Sequence, residues 1–232
     1  MNAILITGSN RGLGLEWVRQ YAGLGWRVYA TCRHPSDAED LRAIASANRN
    51  VSIHRLDVTR PDDIRALTAE LGREAVDVLV NNAGLYLEKF VEDQLGRIIY
   101  SDWDETFRVN TEGAVRVTEA LVDNISRSSR RLVIAITSHM GSIAGIESPG
   151  SYAYRSTKAA LNAAMKGLSL ELKPRGIGVL LFHPGWVKTR MGGPGALYTP
   201  EESVRGMRRL VEGFRMEDTG SFLRFDGSEI PW

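Results

Sequence analysis

The chain has 232 residues, a formal net charge of +1 and one cysteine. That length is enough for a sizeable buried core in one domain, and the near-neutral charge supplies no sustained positive field for a nucleic-acid partner. Cys32 alone excludes an internal disulfide framework and suits a reducing compartment.

From the N-terminus, Met1-Asn2-Ala3-Ile4-Leu5-Ile6 meets Thr7-Gly8 at once. This leaves no basic region, long apolar region or cleavage site of a secretion signal. No apolar stretch approaches the roughly 20 residues of a membrane helix. A cytoplasmic protein without membrane partners is expected.

In chain order, the pattern predicts a strand at 3–6, a helix at 13–24, a strand at 28–32, a helix at 37–47, a strand at 51–56 and a helix at 61–72. A strand at 76–80, a helix at 103–126, a strand at 132–136, a helix at 151–173 and a strand at 178–182 follow, with an edge strand near 221–225. The strand segments are almost continuously apolar, as in a parallel sheet covered on both faces. Pro61 falls in the first turn of its helix, where a missing N–H does no harm. The alternation predicts an α/β fold: a single-domain, Rossmann-type, doubly wound parallel sheet over 1–232 with helices on both faces. Segments 85–102 and 186–200 lack strong periodicity and should emerge beyond the carboxyl ends of the strands, where such sheets bind ligands. They are the expected substrate loops. Residues 127–131, arginines interrupted by serines, read as a solvated helix–strand turn.

The first strand runs into Thr7-Gly8-Ser9-Asn10-Arg11-Gly12-Leu13-Gly14 and then a helix. Glycines here permit a tight turn and let backbone N–H groups approach a pyrophosphate at a helix N-terminus. The second strand ends Thr31-Cys32-Arg33-His34, with an arginine where a carboxylate for a ribose 2′-hydroxyl is common. A guanidinium suits a 2′-phosphate instead, so NADP(H) is expected in preference to NAD(H), with Arg11 as a second positive contact. Both arginines are also open to the reading of solvated surface charges.

Tyr154 and Lys158 are four residues apart and share one face of a helix. An ammonium close to a phenol favours phenolate and lowers its pKa, so the pair can exchange a proton with a carbonyl or alcohol oxygen. Tyr152, six residues from Lys158, points elsewhere.

The glycine spacing Gly8-x-x-x-Gly12-x-Gly14, with Asn81-Asn82-Ala83-Gly84, Tyr154-Arg155-Ser156-Thr157-Lys158 and Pro184-Gly185, resembles the short-chain dehydrogenase/reductase family over essentially the whole chain. His183-Pro184-Gly185-Trp186-Val187-Lys188-Thr189, Met191-Gly192-Gly193 and the ending Asp226-Gly227-Ser228-Glu229-Ile230-Pro231-Trp232 look like its C-factor/sniffer carbonyl reductase branch. The resemblance implies a catalytic set of Asn110, Ser138, Tyr154 and Lys158, with Tyr154 as the acid. Ser138 matches by position, with Thr137 and Ser142 as rivals. Asn110 would order a water beside Lys158, or else is a polar kink in a helix. Lys158 would also hold the nicotinamide ribose. Cofactor contacts would come from Gly8, Asn10, Arg11, Gly12, Leu13, Gly14, Arg33, Asp57, Val58, Asn82, Ala83, Gly84, Pro184, Gly185, Val187 and Thr189. As a lone acid at a strand end, Asp57 is equally open to the reading of a helix cap.

The implied function is NADPH-dependent hydride transfer to an aldehyde, ketone or quinone, reversible on alcohols, in a homodimer or homotetramer. An NADP(H)-binding regulatory or signalling protein with incidental catalysis is the alternative. An epimerase or dehydratase of the larger relatives is disfavoured by the glycine spacing and by the lack of room for a longer substrate domain. Arg190 replaces the aspartate common in this branch, a charge reversal beside the presumed lid. Trp186, Met140, Met191 and Tyr198 either wall a pocket or pack the lid. Ala159, Ala160, Ala163 and Ala164 either meet a partner subunit or face the sheet. His34, His54, His139 and His183 lack ligand spacing, so no metal is expected.

Overall fold

Every residue of β1 (Ala3–Ile6) is buried. A strand with no polar side chain can lie only in the middle of a sheet covered on both faces. The computed structural model, which describes residues 1–90 and 95–232, places it there. Among the described residues the strands form one seven-stranded sheet, ordered β3-β2-β1-β4-β5-β6-β7. The others are β2 (Arg27–Cys32), β3 (Val51–Arg55), β4 (Val78–Asn81), β5 (Leu132–Ile136), β6 (Gly178–His183) and β7 (Ser221–Arg224), and every neighbouring pair is parallel. The order reverses between β1 and β4, which makes the crevice beyond those two strands the place for a ligand.

Alternate residues of the strands feed two cores. Leu5, Leu79, Val133, Val179 and Leu181 pack with α3 (Pro61–Leu71), α5 (Gly113–Ser126) and α6 (Tyr152–Leu172). Ile4, Ile6, Val78, Val80, Ile134 and Phe182 pack with α1 (Gly12–Gly23), α2 (Glu39–Ala47) and α7 (Pro200–Gly213). The doubly wound fold expected from the sequence is the one found.

Several boundaries differ for local reasons. The predicted strand at 76–80 begins two residues later, because the Asp77 carboxylate takes the Ala3 N–H at 2.7 Å. The predicted helix at 37–47 is interrupted at Ala38 (φ −92°, ψ 66°), so a 3-10 turn (Pro35–Asp37) precedes α2. The predicted helix at 103–126 is α4 (Tyr100–Phe107), a π-helical turn (Arg108–Glu112) and α5. Helix α7 has no counterpart in the sequence reading, although its signal is present. Thr199 and Glu202 form a reciprocal capping box around Pro200, with Thr199 N–H donating to Glu202 Oε2 at 2.8 Å. The turn at 127–131 is not merely solvated: Arg130 donates to the Val211 and Glu212 carbonyls at the end of α7, 3.1 Å each, and its guanidinium lies 5.8 Å from the Trp26 ring centre. On α6, Ala163 is exposed and Ala159, Ala160 and Ala164 are half-buried, so this stripe lies off the fully buried face of the helix.

The two strand ends at the crevice are lashed together. Asn82 Nδ2 donates to the Thr7 and Gly8 carbonyls at 2.9 and 3.1 Å, while Thr7 Oγ1 accepts from Asn82 N and Ala83 N at 3.0 Å each. Gly14 presses into this joint, where a Cβ would lie 2.2 Å from Gly8 O and 2.6 Å from Asn82 Nδ2. Backbone on one side and a fully used amide on the other cannot yield. Gly14→Ala should therefore lower the unfolding free energy by about 3 kcal/mol, measured from the urea midpoint; an unchanged midpoint would show that the joint is softer than its contacts indicate.

Candidate active site

The glycine loop needs left-handed backbone at Gly8 (φ +67°) and Gly12 (φ +56°). Between them Ser9 is fully buried and donates to Ile6 O at 2.8 Å, which turns the loop back on its own strand. Helix α1 then starts with no side-chain cap on Arg11 and no acidic residue in its first turn. Its N-terminal N–H groups and the helix dipole thus favour an anion supplied from outside.

A cleft of about 810 Å³ opens over this end of α1, within the usual range for small-molecule sites. Of the residues singled out in the sequence, Gly8, Asn10, Arg11, Gly12, Leu13, Arg33, Asp57, Val58, Asn82, Ala83, Gly84, Tyr154, Lys158, Pro184 and Thr189 line it. Gly14, Asn110, Ser138, Gly185 and Val187 do not. Gly14 serves the strand joint. Gly185 (φ +82°) lies where a Cβ would fall 2.9 Å from Phe225 and Tyr198 ring atoms, and the buried Val187 bridges Tyr198. Lys188, Arg190 and Met191 add to the lining from the segment after β6. Trp186 is half exposed and its indole N–H donates to Gly192 O at 2.8 Å, while Tyr198 packs edge-on against Phe225.

Arg33 and Asp57 face the same end of the cleft. Burial pushes the Asp57 carboxyl up, but hydrogen bonds from Thr59 and the charges of Arg33 and Arg60 outweigh it and leave the pKa below the usual value. Asp57 does not cap α3, whose N-cap is Arg60; its Oδ1 accepts from Thr59 N and Oγ1 in a local turn.

At the other end, Tyr154 and Lys158 project from adjacent turns of α6 and are 7% and 4% exposed. Of the three hydroxyls in contention, Ser138 is the one that acts on the Tyr154 phenol, drawing its pKa down. Thr137 Oγ1 donates to Asn162 Oδ1 at 2.6 Å, and Ser142 Oγ donates to the Trp232 carbonyl at 3.3 Å. Lys158 Nζ donates to Ile136 O at 2.9 Å and sits 5.8 Å from the centre of the Tyr154 ring.

The expected lowering of the Tyr154 pKa by Lys158 is not what prevails. Burial raises it well above the usual phenol value, and the Ser138 hydrogen bond pulls it back only in part. Burial also pushes Lys158 down, to about 8. Desolvation disfavours the charged form of each group and is the largest influence on both.

Asn110 is buried in the π-helical turn and acts on backbone. Its Oδ1 accepts Leu85 N–H at 2.7 Å, and its Nδ2 donates to Leu85 O at 2.9 Å and to Thr157 Oγ1 at 3.1 Å. The widened turn aims this amide at both the segment after β4 and α6. Segment 85–102 contains residues 91–94, which lie outside the described residues, but its beginning is tied to α6 through Tyr86. The Tyr86 ring stacks on the Tyr154 ring with centres 4.1 Å apart and planes 19° apart. Nothing in the sequence singled out Tyr86, since only tertiary packing brings positions 86 and 154 together.

His139 and His183, 44 residues apart in sequence, meet with ring centres 4.7 Å apart. Burial and the Arg224 charge push both pKa values down, that of His183 to about 3, so both rings are neutral at physiological pH. Among the described residues no group of three or more His, Cys, Asp or Glu side chains is placed to hold a metal ion, and no helix is long and apolar enough to cross a membrane.

The sequence profile of the short chain dehydrogenases matches residues 2–195. The chain belongs to the short-chain dehydrogenase/reductase family. Within it, C-signal of Myxococcus xanthus is 42% identical over 169 residues, which are 73% of this chain and 100% of that protein. The NADPH-bound carbonyl reductase from chicken fatty liver is 30% identical with a TM-score of 0.92, covering 100% of this chain and 99% of that one. Carbonyl reductase Sniffer of D. melanogaster is 31% identical with a TM-score of 0.90, covering 100% of each chain. This short-chain dehydrogenase/reductase thus falls in the C-factor/sniffer-like branch, and its class of activity is hydride-transfer oxidoreduction.

Removing the Asn110 amide should leave the Leu85 N–H and carbonyl without partners in a half-buried place. Asn110→Ala is expected to lose about 2 kcal/mol of unfolding free energy, read by urea titration; a loss below a few tenths would mean that Leu85 finds water instead.

Proposed function

We propose that this protein reduces the carbonyl group of a small aldehyde, ketone or quinone with NADPH as the hydride source, all within one catalytic domain spanning 1–232. The observation that carries this reading is the shared cleft. One end offers an uncapped helix N-terminus and Arg33; the other holds Tyr154, whose pKa Ser138 draws down, and the buried Lys158 one helical turn on. The likeness to an NADPH-bound carbonyl reductase supports the same cofactor.

In this reading the α1 N-terminus with Gly12 and Leu13 receives the diphosphate, Arg33 and Arg11 the 2′-phosphate, Asn82 to Gly84 the adenosine side, and Pro184 with Thr189 the carboxamide end. The bound dinucleotide supplies a hydride. The chain's own residues manage the proton. Ser138 donates a hydrogen bond to the substrate oxygen and orients it. Tyr154, held as a neutral phenol by burial, gives its proton to that oxygen. The phenolate left behind is then stabilised by the Lys158 ammonium. Asn110 takes part by fixing the Leu85 backbone and Thr157, the residue before Lys158 on α6.

Turnover of NADPH against a panel of aldehydes, ketones and quinones tests the reading. Tyr154→Phe should bind NADPH as the wild type does and lose nearly all turnover; retained turnover would remove Tyr154 from the proton path. Wild-type protein that binds NADPH yet turns over no carbonyl would favour the signalling alternative, to which the likeness to C-signal lends support. Arg33→Ala should weaken NADPH by roughly tenfold or more, the value of a charge-assisted contact, and leave NADH nearly unchanged. Equal losses for both would overturn the assignment of Arg33.

The sign of the pH dependence follows from Lys158. It is charged below about 8 and loses its proton above that value. Reductive kcat/KM should therefore hold on the acid side and fall as pH rises through about 8, and a profile flat to pH 10 would deny the ammonium its part.

A further inference from the structure

The sequence marks the stretch after β4 only as variable, yet the structure pins its first residues one after another, to the π-helical turn and to the start of α6. Asn110 holds both backbone groups of Leu85. The Tyr86 ring stacks on Tyr154, and its hydroxyl is hydrogen-bonded to Ser151 Oγ. A 3-10 turn (Leu87–Phe90) then carries Glu88 to the start of the helix. Its Oε1 accepts Tyr154 N–H at 2.6 Å and its Oε2 accepts Ala153 N–H at 3.2 Å. Helix α6 has no cap of its own, since Ser151 is left-handed (φ 56°) and its side chain makes no cap bond.

We propose, resting on the reductase reading above, that Glu88 is a positioning residue for the proton donor. A carboxylate at a helix N-terminus is favoured by the dipole, and charge-assisted bonds to N–H groups are short and directional. A fork onto two successive N–H groups fixes the rotation of the first turn as well as its end. Tyr154 belongs to that turn, so a small rotation there swings the phenol oxygen away from Ser138. Tyr86, stacked on the ring itself, stops the ring from moving the other way. Glu88 and Tyr86 together thus hold the Tyr154 hydroxyl where the substrate oxygen must meet it, and they come from a substrate loop, so the loop and the donor are set as one unit.

The test compares wild type, Glu88→Ala and Glu88→Gln in kcat, in KM for NADPH, in thermal midpoint and in amide exchange at Tyr154. Glu88→Ala should speed exchange of the Tyr154 amide and lower kcat roughly ten- to a hundredfold, as for a misplacement near 1 Å, with KM for NADPH within about twofold. Glu88→Gln keeps one acceptor oxygen but loses the fork, and should recover kcat only in part. A Glu88→Ala variant with wild-type kcat overturns the proposal while leaving the reductase reading intact. So does a variant that loses kcat, NADPH affinity and thermal midpoint in proportion, because that is the mark of a merely structural cap. A wild type inert toward every carbonyl overturns the reductase reading, and with it any role for Glu88 in that reaction.

Discussion

The joint between the ends of β1 and β4 is the constraint on which the site depends. Neighbouring strands in a doubly wound sheet diverge at the switch point because their helices leave to opposite faces. Here the Asn82 amide and the Thr7 hydroxyl close the gap with four hydrogen bonds, all to backbone atoms. With the two loops held at fixed separation, the glycine loop can stand open above them, and Gly14 can bring α1 down until no side chain would fit. The free N-terminus of α1 then points into the cleft instead of into the protein.

The opposite wall works by burial. Ile136 is the last residue of β5, and its carbonyl, free of the ladder, takes the Lys158 ammonium. Burying an ammonium and a phenol side by side pushes each toward its neutral form. That arrangement keeps a proton on Tyr154 at rest and leaves the stabilising charge on Lys158 dependent on pH near neutrality. Two segments close over this wall from opposite sides. Lys89, next to Glu88, hydrogen-bonds the Met191 carbonyl, so the loop after β4 and the loop after β6 touch across the mouth of the cleft.

Local pattern and tertiary context divided the structure in a regular way. The strands were legible because a doubly covered strand must be apolar at nearly every position, and Pro61 marked α3 because proline suits a first turn. Helix α7 was hidden by its own surface: Glu201, Arg205, Arg208, Arg209 and Glu212 crowd its polar face, and only Ser203, Val204, Met207 and Val211 are buried. The π-helical turn was also invisible, since one extra residue per turn leaves no compositional mark.

What the sequence by itself determined is the glycine loop, the Tyr154–Lys158 face of α6 and the order of the layers, because each rests on spacings within one element or on a repeated alternation. Only the tertiary structure decided which hydroxyl acts on Tyr154, that Asn110 serves the Leu85 backbone, and that Tyr86 stacks on Tyr154 while Glu88 takes its N–H. Those contacts join residues far apart in the chain, and sequence spacing carries no information about them. The direction of the Tyr154 pKa belongs to the same group. The charge of Lys158 could be read from the sequence, but how deeply the fold buries both groups could not, and the burial is the larger effect.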